Sequence, residues 1–262
     1  MFEEPFRFVE AIANRREYVE NELASGSPIA ALAYDGGILL FTMGRDRQKL
    51  FEVYDRIALG ALGHPGDIER LRMLAIELAS TEGFTRSAAD VSLRRLVNYS
   101  LSPSLKAAFE QIYGPPYLAR LLFAELGATS STDQFVRVDF DGAIHSNGNP
   151  ALKTRPGFGV LSGTKRSELR MESFLTREHR VDLSLGEALR VARDAWVIGH
   201  LALIAKDEFQ ADASFPTLAE IASTQTSVLA QAVFEAAILD RKRPDGPSYR
   251  ALTASELIEL QP

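Results

Sequence analysis

The 262-residue chain has no cysteine. Disulfide frameworks, thiolate zinc sites and cysteine nucleophiles are excluded together, and the absence is compatible with a reducing compartment. Histidine is sparse too: His64, His145, His179 and His200 fall in four separate segments with no H-x-x-x-H or HExxH pair, so no metal site is expected. No apolar stretch approaches the roughly twenty residues that a bilayer-spanning helix needs. The N-terminal segment MFEEPFRFVEAIANRREYVENELASG is acidic before it is basic and holds no signal-peptide core, so a soluble, cytoplasmic protein is expected. A cationic surplus is also missing, with 35 Asp and Glu against 29 Lys and Arg and a formal charge of −6. Phosphate backbones need clustered cations, so nucleic acid is not an expected partner. GFGVLSGTKR lacks the glycine spacings that cradle phosphate, no GxSxG elbow occurs, and no cofactor is indicated.

What is present is ordinary globular material, 46% hydrophobic and 24% charged, with enough apolar mass for a sizeable core. Residues 5 to 24 read as a helix, because Pro5 suits a first turn, Glu3 and Glu4 complement the dipole, and Phe6, Val9 and Ala13 share a face. PIAALAYDGGILLFTM is two β-type runs divided by Asp35-Gly36-Gly37, a hairpin signal. LFEVYD and RIALGALG form a second pair, turning at Asp55-Arg56. Helices are expected over 67 to 80 and over 88 to 112, the latter kinked or divided at Pro103. YLARLLFAELG, QFVRVDFDG and GFGVLSG read as strands, with a turn at Asp141-Gly142. Helices over 164 to 177 and 183 to 205 follow, the second opened by a Ser184/Glu187 capping box. A polar connection over 206 to 224 leads to a last strand in VFEAAILD, a turn at Asp245-Gly246, and a short helix capped by Thr253 and Glu256.

Strands in contiguous blocks that alternate with helix pairs argue against a regularly alternating βαβ fold. Two stacked antiparallel sheets between two helix layers bury every apolar face, so the expected class is α+β, a four-layer αββα sandwich with an extra N-terminal helix.

The segments YDGGILLF, QKLFEVYDRIALGALG, PPYLARLLFAELG and FEAAILDRKRP, in that order, resemble the proteasome α-type subunits of the bacterial, actinobacterial-like branch. The resemblance covers roughly residues 5 to 260 and implies the same αββα sandwich, that of the N-terminal nucleophile hydrolases. The β-type members of that family free an N-terminal threonine whose own amine is the base. Matched to that pattern, the nucleophile position holds Ser27 followed by Pro28, the acidic position falls at about Met43, and the distal D-x-x-S-G segment falls near Trp196 and keeps only Gly199. Lys49 stands at the catalytic lysine position and Ser162-Gly163 matches the family's Ser-Gly. Without threonine and carboxylate, the resemblance implies a non-catalytic α subunit with no catalytic residue of its own.

It also implies Met1, Phe2, Glu3 and Glu4 as an axial gate, with Pro5 opening the helix and residues 5–262 forming one domain. Lys49 matches the α-family lysine that pairs with activator C-terminal carboxylates. Gly63 fits the glycine beside that pocket, and His64 replaces the usual apolar neighbour. The implied partners are further copies in a heptameric ring, a β-type subunit with an N-terminal threonine, a regulatory AAA+ ATPase or ATP-independent activator, and protein substrates in transit. Two alternatives compete: a self-processing hydrolase using Ser27, and a stand-alone proteasome-like ring without protease activity.

Overall fold

The computed structural model describes residues 4–44, 47–146, 157–205, 233–242 and 248–259. The expected turn at Asp245-Gly246, the connection 206–224 and residues 147–156 of the polar stretch 143–157 lie outside these residues, as do Met1, Phe2 and Glu3.

Helix α1 (Glu4–Leu23) is followed by β1 (Ile29–Tyr34), β2 (Gly37–Gly44), β3 (Leu50–Tyr54) and β4 (Ile57–Gly63). Asp35-Gly36 and Asp55-Arg56 are the two-residue loops of the β1–β2 and β3–β4 hairpins, as their sequences predict. Helix α2 (Pro65–Thr85) comes next, then the short α3 (Leu93–Leu96), a π turn over Val97–Leu101, and α4 (Ser102–Glu110). The helical region expected over 88 to 112 is divided, as its proline predicts. Pro103 has no N–H to give the preceding turn, so the chain widens ahead of it and restarts with Pro103 in the first turn of α4. Strands β5 (Ala119–Glu125), β6 (Gln134–Val138), β7 (Ile144–Ser146) and β8 (Phe158–Leu161) precede α5 (Lys165–Glu178) and α6 (Leu185–Ile204). The chain returns through β9 (Val233–Asp240), β10 (Tyr249–Ala251) and α7 (Ala254–Glu259). Both predicted capping boxes form. Ser184 N donates to Glu187 at 2.9 Å, and Thr253 N donates to Glu256 at 2.8 Å.

The strands make two antiparallel five-stranded sheets, ordered β10-β9-β2-β1-β8 and β3-β4-β5-β6-β7. Period-two alternation assigns each strand's side chains to two different cores. Ile29, Ala31, Ile38, Leu40, Ala58, Leu122, Ala237 and Leu239 meet between the sheets. Ala30, Leu32, Leu39, Phe41 and Ile238 pack under α5 and α6, whereas Leu59, Leu121 and Phe123 pack under α2, α3 and α4. Three cores between four layers make the αββα sandwich. Helix α1 belongs to none of the four layers. Its Val19 and Leu23 close the inter-sheet core, and Arg15 donates to the carbonyls of Ala108 and Gly114 at 3.0 and 2.7 Å. Arg16 pairs with Asp141 at 2.7 Å.

Candidate functional site

One edge of the sandwich brings together two of the residues singled out by sequence, Ser27 and Lys49. Strand β3 is an edge strand, so its outward N–H and C=O groups need partners from elsewhere. Those of Leu50 find them on the other sheet. Glu235 on β9 accepts from the Lys49 amide at 3.1 and 2.9 Å and from the Leu50 amide at 2.8 Å. Tyr249 on β10 donates its hydroxyl to the Leu50 carbonyl at 3.2 Å. Burial pushes the Glu235 carboxyl up, against the lowering effect of those two amides and of the Lys49 charge. Burial raises the Tyr249 phenol as well, helped by Glu235 and Glu52.

Lys49 and Ser27 meet at this edge. Ser27 lies on the connector two residues before β1. The Lys49 ammonium donates to Ser27 Oγ, and Ser27 Oγ donates to the Met43 carbonyl at 3.1 Å. Burial pushes the Lys49 ammonium below the ordinary lysine range, with Glu235 acting in the opposite direction. The pair therefore has the serine and lysine of a nucleophile site. It lacks the carboxylate at the matching position, because Met43 is buried in the core under α5 and α6. Trp196 is likewise buried there and stacks on His200 with ring centroids 4.9 Å apart.

Gly63 ends β4 at the same end of the sheet as Lys49, whose carbonyl accepts from the Ala61 amide at 2.9 Å. Its φ of +130° and the 2.0 Å that would separate a Cβ from the Leu118 carbonyl oxygen leave glycine alone suited to the position. His64 is exposed and caps α2, its Nδ1 accepting from the Gly66 amide at 3.2 Å. Among the gate candidates, Glu4 and Pro5 form the start of α1.

Behind Ser27, the Ser162-Gly163 pair is held by buried charges that sequence reasoning missed. Arg120 donates to the Ser162 carbonyl at 2.7 Å and pairs with Asp139 and Glu168 at 2.9 and 3.1 Å. Arg137 pairs with Glu168 at 2.7 Å, and Glu168 accepts from the Ser162 amide at 3.2 Å. Burial pushes Glu168 up despite both arginines, whereas for Asp139 the His145 hydrogen bond and the two arginines outweigh burial and hold it well below the usual carboxylate range. Gly163 then donates to the Gly26 carbonyl at 3.0 Å, where a Cβ would sit 2.4 Å from the Ala24 carbonyl oxygen. The turn after α1 is thus packed directly on the Ser-Gly segment. Among the described residues no cluster of three possible metal ligands occurs.

This sandwich, with a serine and a lysine at one sheet edge and a helix in front of the first strand, is the proteasome form of the N-terminal nucleophile hydrolase fold. The chain belongs to the proteasome α-subunit family. It is 30% identical over 190 residues to the proteasome subunit alpha of Frankia casuarinae, covering 72% of this chain and 74% of that protein. The Streptomyces scabiei proteasome subunit alpha is 28% identical over 253 residues, 96% of this chain and 88% of that one. The Kineococcus radiotolerans protein of the same name is 28% identical over 249 residues, with 94% and 92% covered. No family model matches the chain.

Proposed function

We propose that this chain is the non-catalytic α-ring subunit of a bacterial 20S proteasome. Identical copies form a heptameric outer ring that templates the proteolytic β rings, and residues Met1 to Pro5 gate the axial entrance. Lys49, with Gly63 and His64 beside it, receives the C-terminal carboxylate of a regulatory AAA+ ATPase or an ATP-independent activator. The assembly works in the cytoplasm on protein substrates in transit.

The observation that carries this reading is the state of Ser27. An N-terminal nucleophile needs its own free amine as base. The amine of Ser27 is tied into a peptide bond behind α1, and α1 contributes Val19 and Leu23 to the inter-sheet core. A segment that supplies fully buried side chains is a structural part of the subunit and a poor propeptide. The Lys49 ammonium supports the docking role: it is half-buried, and an anionic partner there is worth roughly 1.5–3 kcal/mol as a charge-assisted hydrogen bond.

Electron microscopy of the chain co-expressed with its β partner tests the proposal. Seven-fold α rings capping a barrel are the expected result. A monodisperse monomer that never binds that partner would overturn it, and rings that form without any β partner would favour the stand-alone assembly.

A further inference from the structure

A half-buried ammonium needs acceptors, and among the described residues the one Lys49 has is neutral. Its Nζ donates to Ser27 Oγ, while the Ser27 hydroxyl proton is directed at the Met43 carbonyl. The neighbouring carboxylate is occupied: Glu235 takes the Lys49 and Leu50 amides, and so fixes the backbone that carries the lysine. Among the described residues no carboxylate lies within ion-pair distance of Lys49 Nζ. Ser27 itself stands on the connector between α1 and β1, beside Gly26, whose amide donates to the Leu23 carbonyl at 2.9 Å and whose carbonyl accepts from Gly163.

We propose that Ser27 is the resident ligand of the Lys49 ammonium, and that a C-terminal carboxylate of a partner protein docks by displacing this hydroxyl. The proposal rests on the docking role given to Lys49 above and adds how that site is regulated. Both bonds use the charged ammonium, but a carboxylate adds a full opposite charge where the hydroxyl offers only a dipole, so a carboxylate outcompetes a serine. Had the ammonium been paired with an internal carboxylate, an incoming tail would have had to exchange one anion for another. Ser27 therefore keeps the ammonium oriented and satisfied while leaving it exchangeable. The displaced group lies just beyond the end of α1, so occupancy of the site is felt first by the connector that carries the outer helix. Glu235 is a positioning residue in this scheme, because it holds the backbone of Lys49 and competes for none of the ammonium's contacts with a tail.

The test uses the full-length chain, co-expressed with its β partner and immobilised. It is offered a pool of short random peptides with free C-terminal carboxylates or the same pool amidated. Mass spectrometry of the retained peptides gives the acid-over-amide preference. Lys49→Ala should abolish the preference. Ser27→Ala removes the internal competitor and should raise it about tenfold or more, the equivalent of one hydrogen bond to a charged group. Ser27→Thr keeps a hydroxyl and should restore the wild-type value. No preference in the wild type, or a preference unaffected by Lys49→Ala, would overturn the docking role itself. Loss of preference in Lys49→Ala together with a wild-type or lowered value in Ser27→Ala would overturn the displacement proposal and leave docking intact.

Discussion

Glu168 is the residue on which the buried charges converge. Its carboxylate faces Arg120 at 3.1 Å and Arg137 at 2.7 Å and takes the Ser162 amide, with only 2% of its side chain exposed. Truncating one member of a buried ion network strands its partners, at a cost of about 3–5 kcal/mol. Glu168→Ala should therefore lower the midpoint of chemical denaturation strongly. Glu168→Gln, which keeps an acceptor for the Ser162 amide, should lose less. This set was legible only in outline. Leu122 and Ala124 face the second sheet, so Arg120, at period two in the apolar run ARLLFAE, sits on an inward face. An arginine there signals a buried partner, but its identity depends on a helix more than forty residues further along the chain, and no local pattern specifies that. Glu235 is a similar case. Ala237 and Leu239 point between the sheets, which marks Glu235 as inward, yet the amides it satisfies are 186 and 185 residues away.

At the scale of elements, local chemistry controls what sequence reveals. The two-residue hairpin loops and both capping boxes form as expected, because each depends on residues within a few positions of one another. The helical region over 88 to 112 is divided as expected too, but a proline inside a helical pattern fixes only the existence of a break and not the π turn that accommodates it. Helix α7 provides a pH test. Hydrogen bonds from the Thr253 backbone and side chain, followed by that from Arg250, depress the Glu256 carboxyl to about 2 from 4.5. A depressed carboxyl stabilises the fold above its unfolded value and loses that contribution as pH falls through the folded one. The α7 amides should therefore be protected at pH 5 and lose protection between about pH 4.5 and about 2. Hydrogen exchange followed across that range checks it, and Thr253→Ala, which removes the side-chain hydrogen bond but keeps those from the backbone amide and Arg250, should reduce the pH dependence of α7 without abolishing it.

For the whole molecule, the intact mass of the purified protein distinguishes a ring wall from a self-processing hydrolase. The full 262-residue mass is expected, with no species lacking residues 1–26, because α1 supplies Val19 and Leu23 to the central core. Partial loss of exactly that segment would revive Ser27 as a nucleophile. The edge of β3 has a separate consequence for how the protein is made. The Leu50 amide and carbonyl that open it are satisfied by Glu235 and Tyr249, and β2 pairs with β9 from Gly37↔Asp240 to Gly44↔Val233. A ribosome synthesises β2 and β3 nearly two hundred residues before these partners. Throughout that interval the nascent chain carries two unfinished strand edges that can recruit strands from neighbouring chains. Translation speed and chaperone cover over the long stretch of message between β3 and β9 therefore bear directly on the yield of folded protein.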